Sequence, residues 1–180
     1  MRRWKKLFRQ LALSGGFALA LAGCLGETPE RARILDARVL RDASRVELEL
    51  TQDLRFSRSM REALSHGIPL RLVYVVEGCG TAAWEVVELR YVPLTRHYQV
   101  QRVGDSQARS FARRSAMLAS LDRIRLPLGA EPAADCRGTV TVALDLTTLP
   151  TPLRFPAFFE REEWRLVSPP VPWPSPSSRA

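Results

Sequence analysis

Apolar and polar residues alternate one for one along two stretches of this chain, and that period of two restricts its folding more than any other local feature. In Arg45 to Thr51, Val46, Leu48 and Leu50 fall on one side and Glu47, Glu49 and Thr51 on the other. In Cys136 to Thr147 the same pattern gives Val140, Val142, Leu144 and Leu146 a common face. Side chains of an extended chain point alternately to opposite faces, so both stretches predict half-buried strands of an antiparallel sheet. Arg33 to Leu40 reads as another strand, and Asp42-Ala43-Ser44 supplies the turn of a hairpin with Arg45 to Thr51. Ile68 to Glu77 is apolar on both sides, which suits a central strand, and after the turn Gly78-Cys79-Gly80 the stretch Trp84 to Val92 returns as its partner. Pro93-Leu94-Thr95 interrupts, Arg96 to Val103 makes a further strand ended by Gly104-Asp105, and Trp164 to Val167 reads as the last one.

Elsewhere the period changes to that of a helix. From Ser57 or Ser59, Phe56, Met60, Ala63 and Leu64 share one face, Ser59-x-x-Glu62 matches a capping box, Gly67 suits a left-handed C-cap and Pro69 blocks continuation. Ser110 to Asp122 reads as a second helix with Phe111, Leu118 and Leu121 as its buried stripe. Leu126 to Asp135 reads as a loop marked by Pro127, Gly129 and Pro132, and Ala157 to Glu162 as a helical turn. The expected fold is therefore α+β: one domain, residues 32–168, with an antiparallel sheet and two main helices. About 145 residues suffice for one core and are too few for two. Five prolines between Pro169 and Pro176 make 169–180 a flexible, polyproline-like tail.

The N-terminus carries Arg2, Arg3, Lys5, Lys6 and Arg9 with no acid, followed by an apolar run from Leu11 to Leu21. That is the layout of a secretory signal over residues 1–23, too short for a permanent span, which needs about 20 apolar residues. Leu21-Ala22-Gly23-Cys24 resembles a bacterial lipobox, in which Cys24 receives the lipid and begins the mature chain, with 24–31 as spacer. Ala18-Leu19-Ala20 and Ala20-Leu21-Ala22 are the competing sites of an ordinary signal that would release a soluble periplasmic protein. Leu25, in place of the Asp that marks inner-membrane retention, points to the periplasmic side of the outer membrane.

The signal takes five positive charges and no negative one with it, so the formal balance falls from +8 to +3. The remaining arginines are scattered among acids, which argues against a nucleic-acid partner. Cys79 and Cys136 are then an even pair in an oxidising compartment and match a disulfide; two separate buried thiols or half of a metal site are the alternatives. Neither cysteine has a C-x-x-C or nearby histidine companion for zinc.

Arg61-Glu62-Ala63-Leu64 with Gly67-Ile68-Pro69-Leu70, Leu89-Arg90-Tyr91 with Leu94-Thr95-Arg96-His97-Tyr98-Gln99-Val100, Leu144-Asp145 with Leu149-Pro150-Thr151-Pro152-Leu153, and Glu163-Trp164-Arg165-Leu166-Val167-Ser168 occur in this order. Together these strings resemble the DUF4390 family of bacterial exported proteins over residues 31–168. The resemblance implies an envelope protein with no assigned catalytic residue, and a membrane sensor kinase as a partner class. His97 departs from the glutamine of that string.

His66 and His97, the two histidines, have no metal-binding spacing, and there is no G-x-S-x-G elbow or glycine-rich phosphate loop, so no catalytic residue, metal or cofactor is expected. Asp53, Asp122 and Asp145 cannot be paired as acid and base from sequence. Tyr91, Arg96, His97 and Tyr98 lie on adjacent strands, either as cross-strand packing or as an aromatic and arginine contact patch. The expected function is a non-enzymatic accessory protein held to the membrane by lipid and binding an envelope protein. A carrier or sensor of a small apolar ligand and a periplasmic hydrolase are the alternatives.

Overall fold

The computed structural model describes residues 31–42, 45–78, 81–128, 136–154 and 161–174. In chain order its strands are β1 (Ala32–Asp42), β2 (Arg45–Leu54), β3 (Leu70–Gly78), β4 (Thr81–Val92), β5 (His97–Arg102), β6 (Arg109–Phe111), β7 (Arg123–Pro127), β8 (Gly138–Leu144) and β9 (Val171–Trp173). They form two antiparallel sheets, one of three strands in the order β1-β2-β7 and one of six in the order β6-β5-β4-β3-β8-β9. The helices are α1 (Arg58–Ser65), α2 (Arg114–Ala119) and α3 (Arg161–Trp164), with one further helical turn at 151–154.

The alternating stretches bury the faces their sequence assigns. Leu48 and Leu50 of β2 and Val140 and Val142 of β8 are fully enclosed, as are Leu70, Leu72 and Tyr74 of β3. The inner faces of the two sheets share one apolar core, which Leu64, Met117, Leu149 and Trp164 help to fill. Gln52 crosses that core: its Nε2 donates to Tyr74 Oη on the other sheet at 2.8 Å and to the Leu121 carbonyl at 2.7 Å. In β1 the register shifts between Ile34 and Asp36, a bulge that lets Ile34 and Ala37 both point inward while Leu35 is 57% exposed.

The fold is mainly β, which corrects the expectation of an α+β domain with two main helices. α1 is eight residues long and α2 six, so each covers part of the core and neither forms a layer. The cap of α1 is Ser57, whose Oγ accepts from Met60 N at 3.1 Å; the Ser59 box does not form, because Glu62 is drawn to Arg58 at 2.8 Å. Gly67 does take the left-handed conformation, with φ +83. Phe111, expected in a helix, ends strand β6, and Arg123 to Pro127, whose Leu126 and Pro127 are expected in a loop, forms β7 beside β2. Both segments are too short for their periodicity to show.

Two further corrections concern the C-terminal end. Trp164 closes a helix, and Val167 contributes only an isolated bridge to Ala143 where a full strand is expected. Beyond the expected domain limit at 168, β9 pairs with β8 through Val140↔Val171 and Gly138↔Trp173. Residues 171–173 therefore belong to the sheet, where a flexible tail is expected. The signal, Cys24, the 24–31 spacer up to residue 30, Cys79 and residues 155–160 lie outside the described residues.

Candidate functional site

The strand register separates the four residues of the expected contact patch. Tyr91 and Tyr98 are directly opposed across β4 and β5, with ring centroids 4.8 Å apart, and Tyr98 packs against the core. His97 pairs with Val92, one residue along each strand, so its side chain lies on the opposite face. Arg96 sits in the turn with φ 53, beside Leu94, which is 97% exposed. The tyrosines are thus a packed cross-strand pair, while Arg96 and His97 belong to the exposed hairpin tip.

Both histidines are exposed and bonded locally. His66 Nδ1 donates to the Glu62 carbonyl at 2.8 Å and His97 Nδ1 to the Thr95 carbonyl. Asp53 is paired with Arg55, and Asp145 accepts from the backbone and hydroxyl of Thr147. Among the described residues no three His, Cys, Asp or Glu side chains are grouped to hold a metal ion.

A different surface stands out: the outer face of the six-stranded sheet. Val75 is opposed to Trp84 on one side and Thr141 on the other, and Val73 to Val86 and Ala143, giving two adjacent apolar rows. Trp84 is 67% exposed and Val167, bridged to Ala143, is 40% exposed. The next row is charged. Glu88 is opposed to Arg71, whose Nε donates to its Oε2 at 2.8 Å, while Arg90 binds its Oε1. Burial alone would raise the Glu88 carboxyl, but the hydrogen bonds from Arg90 and Arg71 outweigh it and hold it below the ordinary carboxylate range. An apolar centre with a charged border is the anatomy of a protein-binding surface.

From sequence, Trp84 to Val92 reads only as a partner for β3, which does not single out this face. The signal was present: Trp84, Val86 and Glu88 are spaced by two, and so are Arg71, Val73 and Val75. The cysteines fare differently. Cys136 is buried and already engaged, and Gly78, the residue before Cys79, pairs with Gly138, two residues after Cys136. The ladder thus brings the chain leading to both cysteines to one end of the β3–β8 pair.

Fold and site together define a small, mainly β domain of two antiparallel sheets, with a broad outer face of apolar rows bordered by an ion-paired one. The chain belongs to the DUF4390 family, described as a domain of unknown function, whose family model matches residues 30–174. That match runs through β9. No curated protein and no solved structure matches the chain.

Proposed function

We propose that the protein is a cell-envelope lipoprotein, anchored through Cys24 at the periplasmic side of the outer membrane, that acts without catalysis of its own by binding another envelope protein. The observation that carries this reading is the outer sheet face centred on Trp84. A tryptophan 67% exposed over two rows of valine, alanine and threonine is an unusual use of apolar surface unless a partner covers it. Tryptophan and arginine are also the side chains on which binding energy concentrates, and Arg71 and Arg90 border the patch. The lipid anchor rests on the Leu21-Ala22-Gly23-Cys24 signal. A membrane sensor kinase is the partner class to examine first, from the family resemblance.

The test is in-cell photo-cross-linking from a reactive side chain placed at Val86, with Cys24→Ala as the mislocalised control. One envelope protein should be captured, and Trp84→Ala should weaken that capture about 30-fold, the loss of a hot-spot residue of about 2 kcal/mol. Capture that is indifferent to Trp84, or equal from a probe at Leu94, would refute the assigned face. Unchanged capture by the Cys24→Ala variant would refute the anchor. In the same compartment we propose a Cys79–Cys136 disulfide, supported by the Gly78↔Gly138 register and the burial of Cys136.

A further inference from the structure

β7 is one edge of the three-stranded sheet, the other being β1, and Arg102 is the last residue of β5 in the six-stranded sheet. Because Arg102 is opposed to Val87, and Arg109 to Val100, both arginines stand on the core side of their sheet, where strand periodicity places an apolar residue. Arg102 reaches across and donates to the Arg125 carbonyl of β7. Between the two sheets there is a cleft of about 340 Å³ whose walls include Arg102, Arg109, Arg123 and Arg125, together with Asp105 and Gln107. Its size falls in the range of small-molecule sites, about 300–1,000 Å³.

The positive charge in this cleft is under-compensated. Arg125 is bonded to Glu49 at 3.1 Å. Arg102 Nε is buried without a hydrogen-bond acceptor, and Glu85, its nearest carboxylate, lies at 3.6 Å. The side chains of Arg109 and Arg123 have no hydrogen bond or ion pair among the described residues, although their backbones pair in β6 and β7. Among the described residues Asp105 is the one carboxylate in the wall of the cleft. With Arg125 facing Glu49 and Arg102 facing Glu85, Arg109 and Arg123 are the two guanidinium groups left over against Asp105, and the planar guanidinium fork fits oxyanions in bidentate fashion. Two forks that each bind in bidentate fashion need more acceptor oxygens than the two of a carboxylate, and a phosphate group supplies them.

We propose that this cleft binds a phosphate ester or polyphosphate, held by Arg109 and Arg123, with Arg102 fixing the distance between β5 and β7. The phosphate group can come from a soluble molecule or from a phospholipid headgroup. Inorganic pyrophosphate titrated into the full chain in neutral detergent, followed by calorimetry, tests the first source. Co-sedimentation with phosphatidylglycerol against phosphatidylcholine vesicles tests the second. The expected result is saturable binding of one probe, weakened at least tenfold by Arg109→Ala with Arg123→Ala and by Arg123→Gln alone, and unchanged by Arg96→Ala at the hairpin tip. The three arginines are exposed, so unfolding curves of the variants should match the parent. Absence of saturable binding to either probe, or equal weakening by Arg96→Ala, would overturn the proposal.

Discussion

Glu88 shows how one side chain is set by its neighbours across two strands. It is 9% exposed and would be costly to bury alone, yet Arg71 from β3 and Arg90 from its own strand supply a donor to each carboxylate oxygen. Its carboxyl ionises below its unfolded-state value, so its contribution to stability is complete above that unfolded value and is lost as the pH falls through the depressed folded one. Glu88→Gln should cost about 1 kcal/mol near neutrality, the arginines being half exposed and screened. In urea unfolding from pH 7 to pH 3 the gap between parent and variant should shrink toward acid. A gap that stays constant would mean that the triad is not its source. Glu85 has the opposite sign: burial raises its carboxyl despite Arg102, so protonating it in acid favours the folded state and Glu85→Gln should flatten that gain. The alternation of Arg71, Val73 and Val75 against Trp84, Val86 and Glu88 was legible in the sequence, but which rows meet depends on the β3–β4 register, which no local pattern states.

At the scale of elements, β9 is the least expected and has a clear cause. Gly78 and Gly138 are opposed at the end of the β3–β8 ladder, leaving a bare strip of backbone that Trp173 covers. A Cβ added at Gly78 would fall 2.6 Å from the Trp173 ring, so the glycine and the tryptophan occupy complementary space. Trp173 Nε1 donates to the Glu77 carbonyl at 3.1 Å and to the Thr139 carbonyl at 3.2 Å, and the ring is 4% exposed. Trp173→Ala should therefore destabilise the fold by about 3 kcal/mol, at the low end for a buried tryptophan because β9 is an edge strand. A cost below about 0.5 kcal/mol in chemical denaturation would show the segment to be dispensable. The proline-rich composition predicts a flexible, polyproline-like tail, because no local signal announces that three residues will be recruited by a distant glycine pair. The same applies to β6 and β7, where three and five residues carry too little pattern to declare a strand. α1 was legible because its apolar face, Gly67 and Pro69 agree, and of the two starts the sequence offers, Ser57 and Ser59, the structure uses Ser57 as the cap.

For the molecule as a whole, the proposed Cys79–Cys136 bond closes a loop that contains β4, β5, β6, α2 and β7. On the chain-entropy account a bond of that span adds about 4 kcal/mol. Reduction, or Cys136→Ser, should lower the thermal midpoint by several degrees, and mass spectrometry of the unreduced chain should find the two cysteines in one linked peptide pair. Equal melting with and without reductant would remove the bond from the stability of the fold. By itself the sequence determined the antiparallel β character, the β1–β2 hairpin and the course of β3 and β8, since each is written in residues one or two positions apart, and the likeness to a family, which is written in the order of short strings along the chain. Tertiary structure alone decided that the strands divide into two sheets, that the helices are too short to form a layer, that the tail pairs with β8, and that Trp84 and the cleft arginines are gathered where they are. Those outcomes depend on contacts between residues far apart in the chain, whose energies are summed only when the whole core closes.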